Sequence, residues 1–283
     1  RCVDHVRGDR CGERGLVNPL DDRVTVVRGG GDIGTGAIWR LRRIGIPVIV
    51  LELERPLTVR RTVAFSTAVT EGSVEVDGIT GERAASSSDA ETMAREGIVP
   101  VMVDPDVPSF SQPPSILVDA RLAKRNIDTS IDQAPLVVAL GPGFSAGIDC
   151  DAVIETKRGH DLGRVIWSGP AAPNTGIPGV IGGASTDRVV RSGVDGWILW
   201  MVEIGDTVTK GHPIGSVDQV PLNANTSGVV RGLICEGPVT KGLKIADIDP
   251  RGDVAATRSI SDKALAVGGG VLEAVLTPRS RSL

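Results

Sequence analysis

The stretch that most limits what this chain can fold into is residues 24–52, VTVVRGGGDIGTGAIWRLRRIGIPVIVLE. A short apolar run, a glycine cluster, a segment with helical spacing, Gly45 and a second apolar run follow in the order of a βαβ unit. Gly29, Gly31 and Gly34 satisfy G-x-G-x-x-G, and Glu52 follows roughly twenty residues on, where such a unit keeps its ribose-reading carboxylate. Each glycine has a mechanical role: one makes the tight turn, one lets the backbone approach a phosphate, one lets helix and strand pack closely. The free N–H groups where the helix opens, at Asp32, attract an anion. These residues predict an α/β, dinucleotide-type fold with Gly29, Gly31, Asp32, Gly34 and Glu52 as ligand contacts.

At 283 residues the chain has the length of about two domains. Its net charge of −4 argues against nucleic acid as a partner. No apolar run approaches the roughly 20 residues needed to cross a bilayer, and no signal-peptide pattern opens the sequence. Cys2, Cys11, Cys150 and Cys235 have no disulfide-framework spacing, so a reduced, cytoplasmic protein is expected. There is no Tyr, which removes tyrosine-based acid–base chemistry. No His/Cys cluster has standard metal-ligand spacing; Cys2, His5 and Cys11 lack a fourth ligand.

Beyond Glu52, Arg55, Arg60 and Arg61 follow the second strand, and as a phosphate clamp Arg60 and Arg61 would present bidentate forks. A capping box at 88–91 opens a helix that Gly97 ends, and strands are expected at 98–103, 116–118, 136–140, 153–155 and 164–167. The strand at 136–140 runs into Gly141-Pro142-Gly143, so Gly141 and Gly143 are candidate ligand contacts at a strand's carboxyl end. The last third is different. GDTVTKGHPIGSVD at 205–218 matches EGPVTKGLKIADID at 236–249, and Ser-Gly-Val at 192–194 recurs at 227–229. Two such halves resemble the barrel-sandwich of lipoyl and biotinyl carrier domains, but the joining hairpin DQVPLNANTS has no lysine to modify. The expected fold is therefore a Rossmann-like parallel-sheet domain (23–168) followed by a small all-β lipoyl-like unit (185–253). A tail (1–22), a Gly/Pro linker (169–184) and a C-terminal helix and tail (254–283), interrupted near 268–270, complete the chain.

The segments VVRGGGDIGTGAIWRLRRIGIPVIVLELERPLTVRRTVAF, VDARLAKRNIDTSIDQAPLVVALGPGF, VIETKRGHDLGRVIW, TGIPGVIGG and IADIDPRGD, in this order, resemble the YqeB family over roughly 23–276. That resemblance implies an accessory protein of selenium-dependent molybdenum hydroxylase systems. Its nucleotide-fold portion is similar to maturation factors that handle the molybdenum cofactor before insertion. The implied ligand is a molybdopterin-type cofactor, and the implied partner is the client hydroxylase; homo-oligomer formation is left open.

Three residues are catalytic candidates. Lys124 could act as anion partner or proton donor with Asp119 setting its charge, both within DARLAKRNID. His160, in the loop TKRGHDLG, could act as general acid–base with Glu155 or Asp161 orienting it. Cys150 could carry sulfur or selenium beside a molybdenum cofactor, against the plainer reading as a small buried hydrophobe. Three functions follow: a cofactor-handling accessory protein, an NAD(P)-dependent oxidoreductase using the same glycine turn and Glu52, and a non-enzymatic docking scaffold.

Overall fold

The computed structural model describes residues 24–174 and 187–278. Cys2, His5 and Cys11, the tail at 1–22 and the motif TGIPGVIGG lie outside the described residues.

The apolar runs of the first two-thirds form β1 (Thr25–Arg28), β2 (Val48–Glu52), β3 (Ser73–Val76), β4 (Ile79–Arg83), β5 (Val99–Val103), β6 (Ile116–Asp119), β7 (Leu136–Leu140), β8 (Ser145–Ala146), β9 (Ala152–Ile154) and β10 (Val165–Ile166). All but β8 join one nine-stranded sheet of order β10-β9-β7-β6-β1-β2-β5-β4-β3. Its centre is parallel, from β9 through β7, β6, β1, β2 and β5 to β4, and antiparallel strands close both edges. The short strand β8 pairs separately with β11 (Gly169–Pro170).

Continuous apolar strands need both faces covered. Val27, Val48, Val50, Val118 and Val138 face one core with α1 (Asp32–Arg43) and α4 (Asp262–Leu276); Val26, Ile49, Leu117, Val137 and Val153 face the other with Ala90 and Ala94 of α3 (Ser87–Glu96). The helix cap of α3 lies two residues earlier than the sequence reading: Ser86 Oγ accepts from Asp89 N–H at 3.2 Å and Asp89 Oδ2 accepts from Ala85 N–H at 2.9 Å. Asp89, not Glu91, is the reciprocal partner, and Glu91 instead accepts from Ser111.

The expected interruption of the last helix is absent; α4 is continuous. Its glycines serve packing instead. A Cβ at Gly268 would stand 2.2 Å from the carbonyl oxygen of Gly36 in α1, and one at Gly36 would stand 2.1 Å from that of Ala264. The two helices therefore cross backbone to backbone. Gly270 makes the same kind of approach to the carbonyl of Gly163.

Between sheet and α4 the chain builds two four-stranded antiparallel sheets from β12 (Val189–Arg191), β13 (Gly196–Trp200), β14 (Thr207–Val208), β15 (Pro213–Val217), β16 (Val220–Asn223), β17 (Gly228–Leu233), β18 (Gly237–Val239) and β19 (Lys244–Asp249). Their orders, β12-β19-β17-β14 and β16-β15-β13-β18, interchange when β12, β13, β14 and β15 are exchanged with β16, β17, β18 and β19. The repeated segments at 205–218 and 236–249 thus hold equivalent places. The equivalence at the strand starts is Asp195-Gly196 with Ser227-Gly228, rather than the two Ser-Gly-Val triplets. Gly196 abuts the side chain of Asp218 as Gly228 abuts the backbone of Asp249, the aspartates that end the two repeats. A loop at 224–227 joins β16 to β17 and so links the two sheets.

Gly268→Ala should destabilise the protein by about 1–3 kcal/mol, the usual cost of overpacking. Gly269→Ala, one residue along and with nothing within 4 Å of its Cβ, should instead stabilise by about 0.5–1 kcal/mol through helix propensity. Equal urea midpoints for the two variants would refute the backbone crossing.

Candidate functional site

The strands β1, β2, β5, β6, β7 and β9 all end on one edge of the sheet, and a cleft of about 980 Å³ lies over that edge. The chain runs from β1 to β2 and β5 on one side, then returns to β6 on the other, so the cleft straddles the point where strand order reverses. Gly29 follows β1 with φ +99, and a Cβ there would stand 3.0 Å from the backbone of Ala120 after β6. A Cβ at Gly34 would stand 2.2 Å from the oxygen of Gly29. The fold itself requires both glycines. Gly31 is different: its φ is −67, and the nearest atom a Cβ would meet is Thr58 Oγ1 at 3.5 Å. It lines the cleft at the start of α1, where a side chain would fill the space left for a ligand.

Glu52 also lines the cleft but is already engaged. Its Oε1 accepts from Gly30 N–H at 2.6 Å and its Oε2 from Leu53 N–H at 3.1 Å. Burial pushes its pKa up against those two N–H groups. The carboxylate braces the glycine turn from below.

The arginines after β2 join the two halves of the molecule. Arg60 is buried, donating to Asp32 Oδ1 at 2.8 Å and to the carbonyls of Ala256 at 2.9 Å and Ser259 at 3.0 Å. Arg61 donates to the carbonyl of Leu233 at 2.8 Å and Arg55 to that of Cys235 at 3.4 Å. Gly232 packs on the backbone of Val59. Arg60 lines the cleft; Arg55 and Arg61 do not.

Asp119 and its neighbours form a closed network. Arg121 donates to Asp119 Oδ2 and to Asp128 Oδ1, each at 2.6 Å, and Thr129 Oγ1 donates to Asp119 at 2.6 Å. Arg28, at the end of β1, donates to both oxygens of Asp128 at 2.7 and 2.8 Å. Those bonds from Arg28 and Arg121 hold the Asp128 carboxyl down at about 2. Gly143 packs on the backbone of Arg125 and Gly141 on the side chain of Thr156, so both shape loops, and it is Pro142 that reaches the cleft. Lys124 is exposed in the loop after β6, at φ +65. His160 is exposed in its turn; Glu155 accepts from Lys157 N–H and Ala172 N–H, and Asp161 pairs with Arg164. Asp119, Lys124 and His160 are therefore not brought together, and none lines the cleft. Cys150 is fully buried, and burial first, then the carboxylates of Asp149 and Asp151, push its thiol up to about 12.

Sequence reasoning missed the opposite wall. Arg188, Arg231, Lys244 and Asp247 of the β unit, with Ser261 and Lys263 at the start of α4, close the cleft from above. The charge of β17 and β19 was visible in the sequence, but nothing in its spacing tied these residues to the glycine turn.

No protein-family model matches the chain. The chain is 48% identical over 261 residues to the uncharacterized protein YqeB of Escherichia coli (strain K12), covering 92% of itself and 48% of that protein. That identity supports membership of the YqeB family. The chain spans about half the length of the relative it matches. Two solved structures are similar at TM-scores too low to bear on fold. One is the product-bound ectoine utilization protein EutE (DoeB) from Ruegeria pomeroyi, at TM-score 0.22 and 16% identity, covering 83% of this chain and 59% of that one. The other is a succinylglutamate desuccinylase/aspartoacylase from Rhodobacter sphaeroides, at TM-score 0.26 and 17% identity, covering 80% and 85%. No helix among the described residues is long and apolar enough to cross a membrane.

Two outcomes follow from the site. Asp128 has a lowered folded pKa, so its contribution to stability is fully present above about pH 4 and disappears as pH falls through about 2. The loss in thermal midpoint caused by Asp128→Asn should be present at pH 7 and shrink away below pH 4; a pH-independent loss would contradict the pairing with Arg28. Cys150 should resist iodoacetamide in the folded protein up to about pH 9 and react on unfolding, since the thiolate is the nucleophile. Labelling of native Cys150 would restore the sulfur-carrier reading.

Proposed function

We propose that the chain is an accessory protein of a molybdenum hydroxylase that holds a phosphate-bearing molybdopterin-type cofactor or nucleotide and assists its modification or insertion. The observation that carries the reading is Gly31, a glycine the fold does not require, at the start of α1 and open to the cleft. The glycine turn, with a helix N-terminus at the point where strand order reverses, is the arrangement of a Rossmann-like phosphate site. The cleft volume of about 980 Å³ suits a ligand of pterin–nucleotide size. The cationic wall contributed by the β unit favours an anion. The residues present fit such a ligand: Gly31 leaves it room, Glu52 holds the turn beneath it, and Arg28, through Asp128, fixes the loop after β6 beside it.

The two-sheet unit, lipoyl-like but with no lysine on its hairpin, serves here as lid and docking face rather than as a carrier. Trp197, Leu199 and Met201 stand at alternate positions along and just beyond β13, 55%, 51% and 74% exposed. An apolar stripe of this kind supports contact with a client protein. An NAD(P)-dependent oxidoreductase is the second reading. Glu52 favours it, but no acid–base pair among Asp119, Lys124 and His160 reaches the cleft to serve it.

Mass spectrometry of small molecules released on denaturing the freshly purified protein tests the ligand class. A phosphate-bearing pterin or pterin–nucleotide is expected, whereas NAD(P) would move the oxidoreductase reading forward. Gly31→Val should fold normally, because only Thr58 Oγ1 lies near its Cβ, yet bind the released ligand at least about tenfold more weakly. Wild-type affinity in that variant would remove the glycine turn from the site.

A further inference from the structure

Arg231, on β17, is a cation whose ion pair among the described residues is long and shared. Its side chain is 7% exposed and lines the cleft, and among the described residues it makes no hydrogen bond. Its Nε is buried and unsatisfied. The nearest carboxylate, Asp249, lies 3.8 Å away, and both oxygens of that group already accept from Arg251, at 2.9 and 2.6 Å. Arg60 lies close enough to repel it. A buried guanidinium Nε with no hydrogen-bond acceptor, served only by a 3.8 Å ion pair, is a cost to the fold.

Two lysines share this setting. Lys244, at the start of β19, reaches Asp247 at 3.6 Å, but Asp247 is also taken by Arg188. Lys263, in the first turn of α4, lines the cleft and has no ion pair among the described residues. Burial lowers the pKa of Arg231, Lys244 and Lys263 alike, and Asp32 acts on all three from the start of α1. The cations therefore gather around the helix start that carries Gly31, though they come from β17, β19 and α4.

We infer that Arg231, Lys244 and Lys263 form a seat for a terminal phosphate monoester, built by the β unit and α4 against the glycine turn. The inference rests on the reading of the cleft as the site of a phosphate-bearing ligand. A monoester is the group that matches: near neutral pH it carries close to two negative charges and three acceptor oxygens for the three cations lining this cleft. A carboxylate or an internal diester brings one charge and leaves the excess uncompensated. The seat also makes the β unit part of the binding site, so the glycine turn alone would hold the phosphate weakly.

The test uses the full chain, with inorganic phosphate, methyl phosphate and dimethyl phosphate as probes in calorimetry and thermal melts. Wild type should bind phosphate and methyl phosphate, with Tm rising with their concentration, and bind dimethyl phosphate at least about tenfold more weakly. Arg231→Met should melt at or above the wild-type Tm without phosphate, because a buried and poorly paired charge is gone, yet bind phosphate about tenfold or more weakly. Lys263→Met should weaken binding similarly; Lys210→Met, exposed and outside the cleft, should keep it. A purely structural Arg231 would lose stability instead. Phosphate affinity within about twofold of wild type in both Arg231→Met and Lys263→Met would overturn the inference. So would equal binding of the diester, or no binding by wild type. These failures remain separable from failure of the cleft reading: a chain that releases a phosphate-bearing ligand, and loses it in Gly31→Val, keeps the cleft while losing this seat.

Discussion

The contact on which the molecule depends is the crossing of α1 and α4 at Gly36 and Gly268. Each glycine sits where a Cβ would collide with the other helix's backbone, so the helices meet without intervening side chains. Side chains around the crossing, among them Ala37, Ile38, Val267 and Val271, complete one face of the sheet. The crossing does more than fill a core. The chain leaves the sheet after β10, pairs β11 with β8, builds eight strands elsewhere, and comes back through α4 to lie beside the first helix of the fold. Docking α4 thereby anchors the β unit at its C-terminal end above the strand ends where the glycine turn opens.

That closure explains the arginines after β2. Surface arginines contribute little, but Arg60 is buried and reaches two carbonyls in the segment just before α4 as well as Asp32 at the start of α1. Arg61 and Arg55 bond carbonyls at the end of β17. Thr62 and Asp77 add bonds to the backbone of Thr257 and Ile260. The sheet's own loops therefore clasp the returning chain. Bringing two charged surfaces together also desolvates what lies between them, and Arg231 is left with a buried Nε that meets no acceptor and an ion pair of 3.8 Å.

The sequence was legible where a property is local. Continuous apolar runs gave the parallel strands, since strands buried on both faces cannot alternate. The glycine turn, the stop at Gly97 and the repeat of 205–218 in 236–249 were all visible as short patterns. What was not legible depends on partners distant in the chain. Gly268 to Gly270 looked like a break because glycine weakens an isolated helix; only the approach of Gly36 and Gly163 gives Gly268 and Gly270 another use. Arg60 looked like a free phosphate clamp because its carbonyl partners lie almost two hundred residues away. Ser-Gly-Val looked like the repeat's register, yet the equivalent glycines are Gly196 and Gly228, set by the aspartates they abut. Asp119 looked like the group setting the charge of Lys124, and His160 like an acid–base oriented by Glu155 or Asp161, because all lie in polar loops close to strand ends. The fold instead ties Asp119 into a network with Arg121 and Thr129 and leaves Lys124 and His160 on exposed turns.

The glycine motif alone does not choose between a dinucleotide and another phosphate-bearing ligand, because both need the same turn. The choice depends on what faces the turn. In a single α/β domain that space is left to the substrate and its acid–base residues. Here it is closed by arginine and lysine side chains from a second unit, while the glycine turn is stiffened by Glu52 through Gly30. On the function proposed above, that wall supports holding an anion between two parts of one chain, and no acid–base pair among Asp119, Lys124 and His160 lines the cleft to pass a proton.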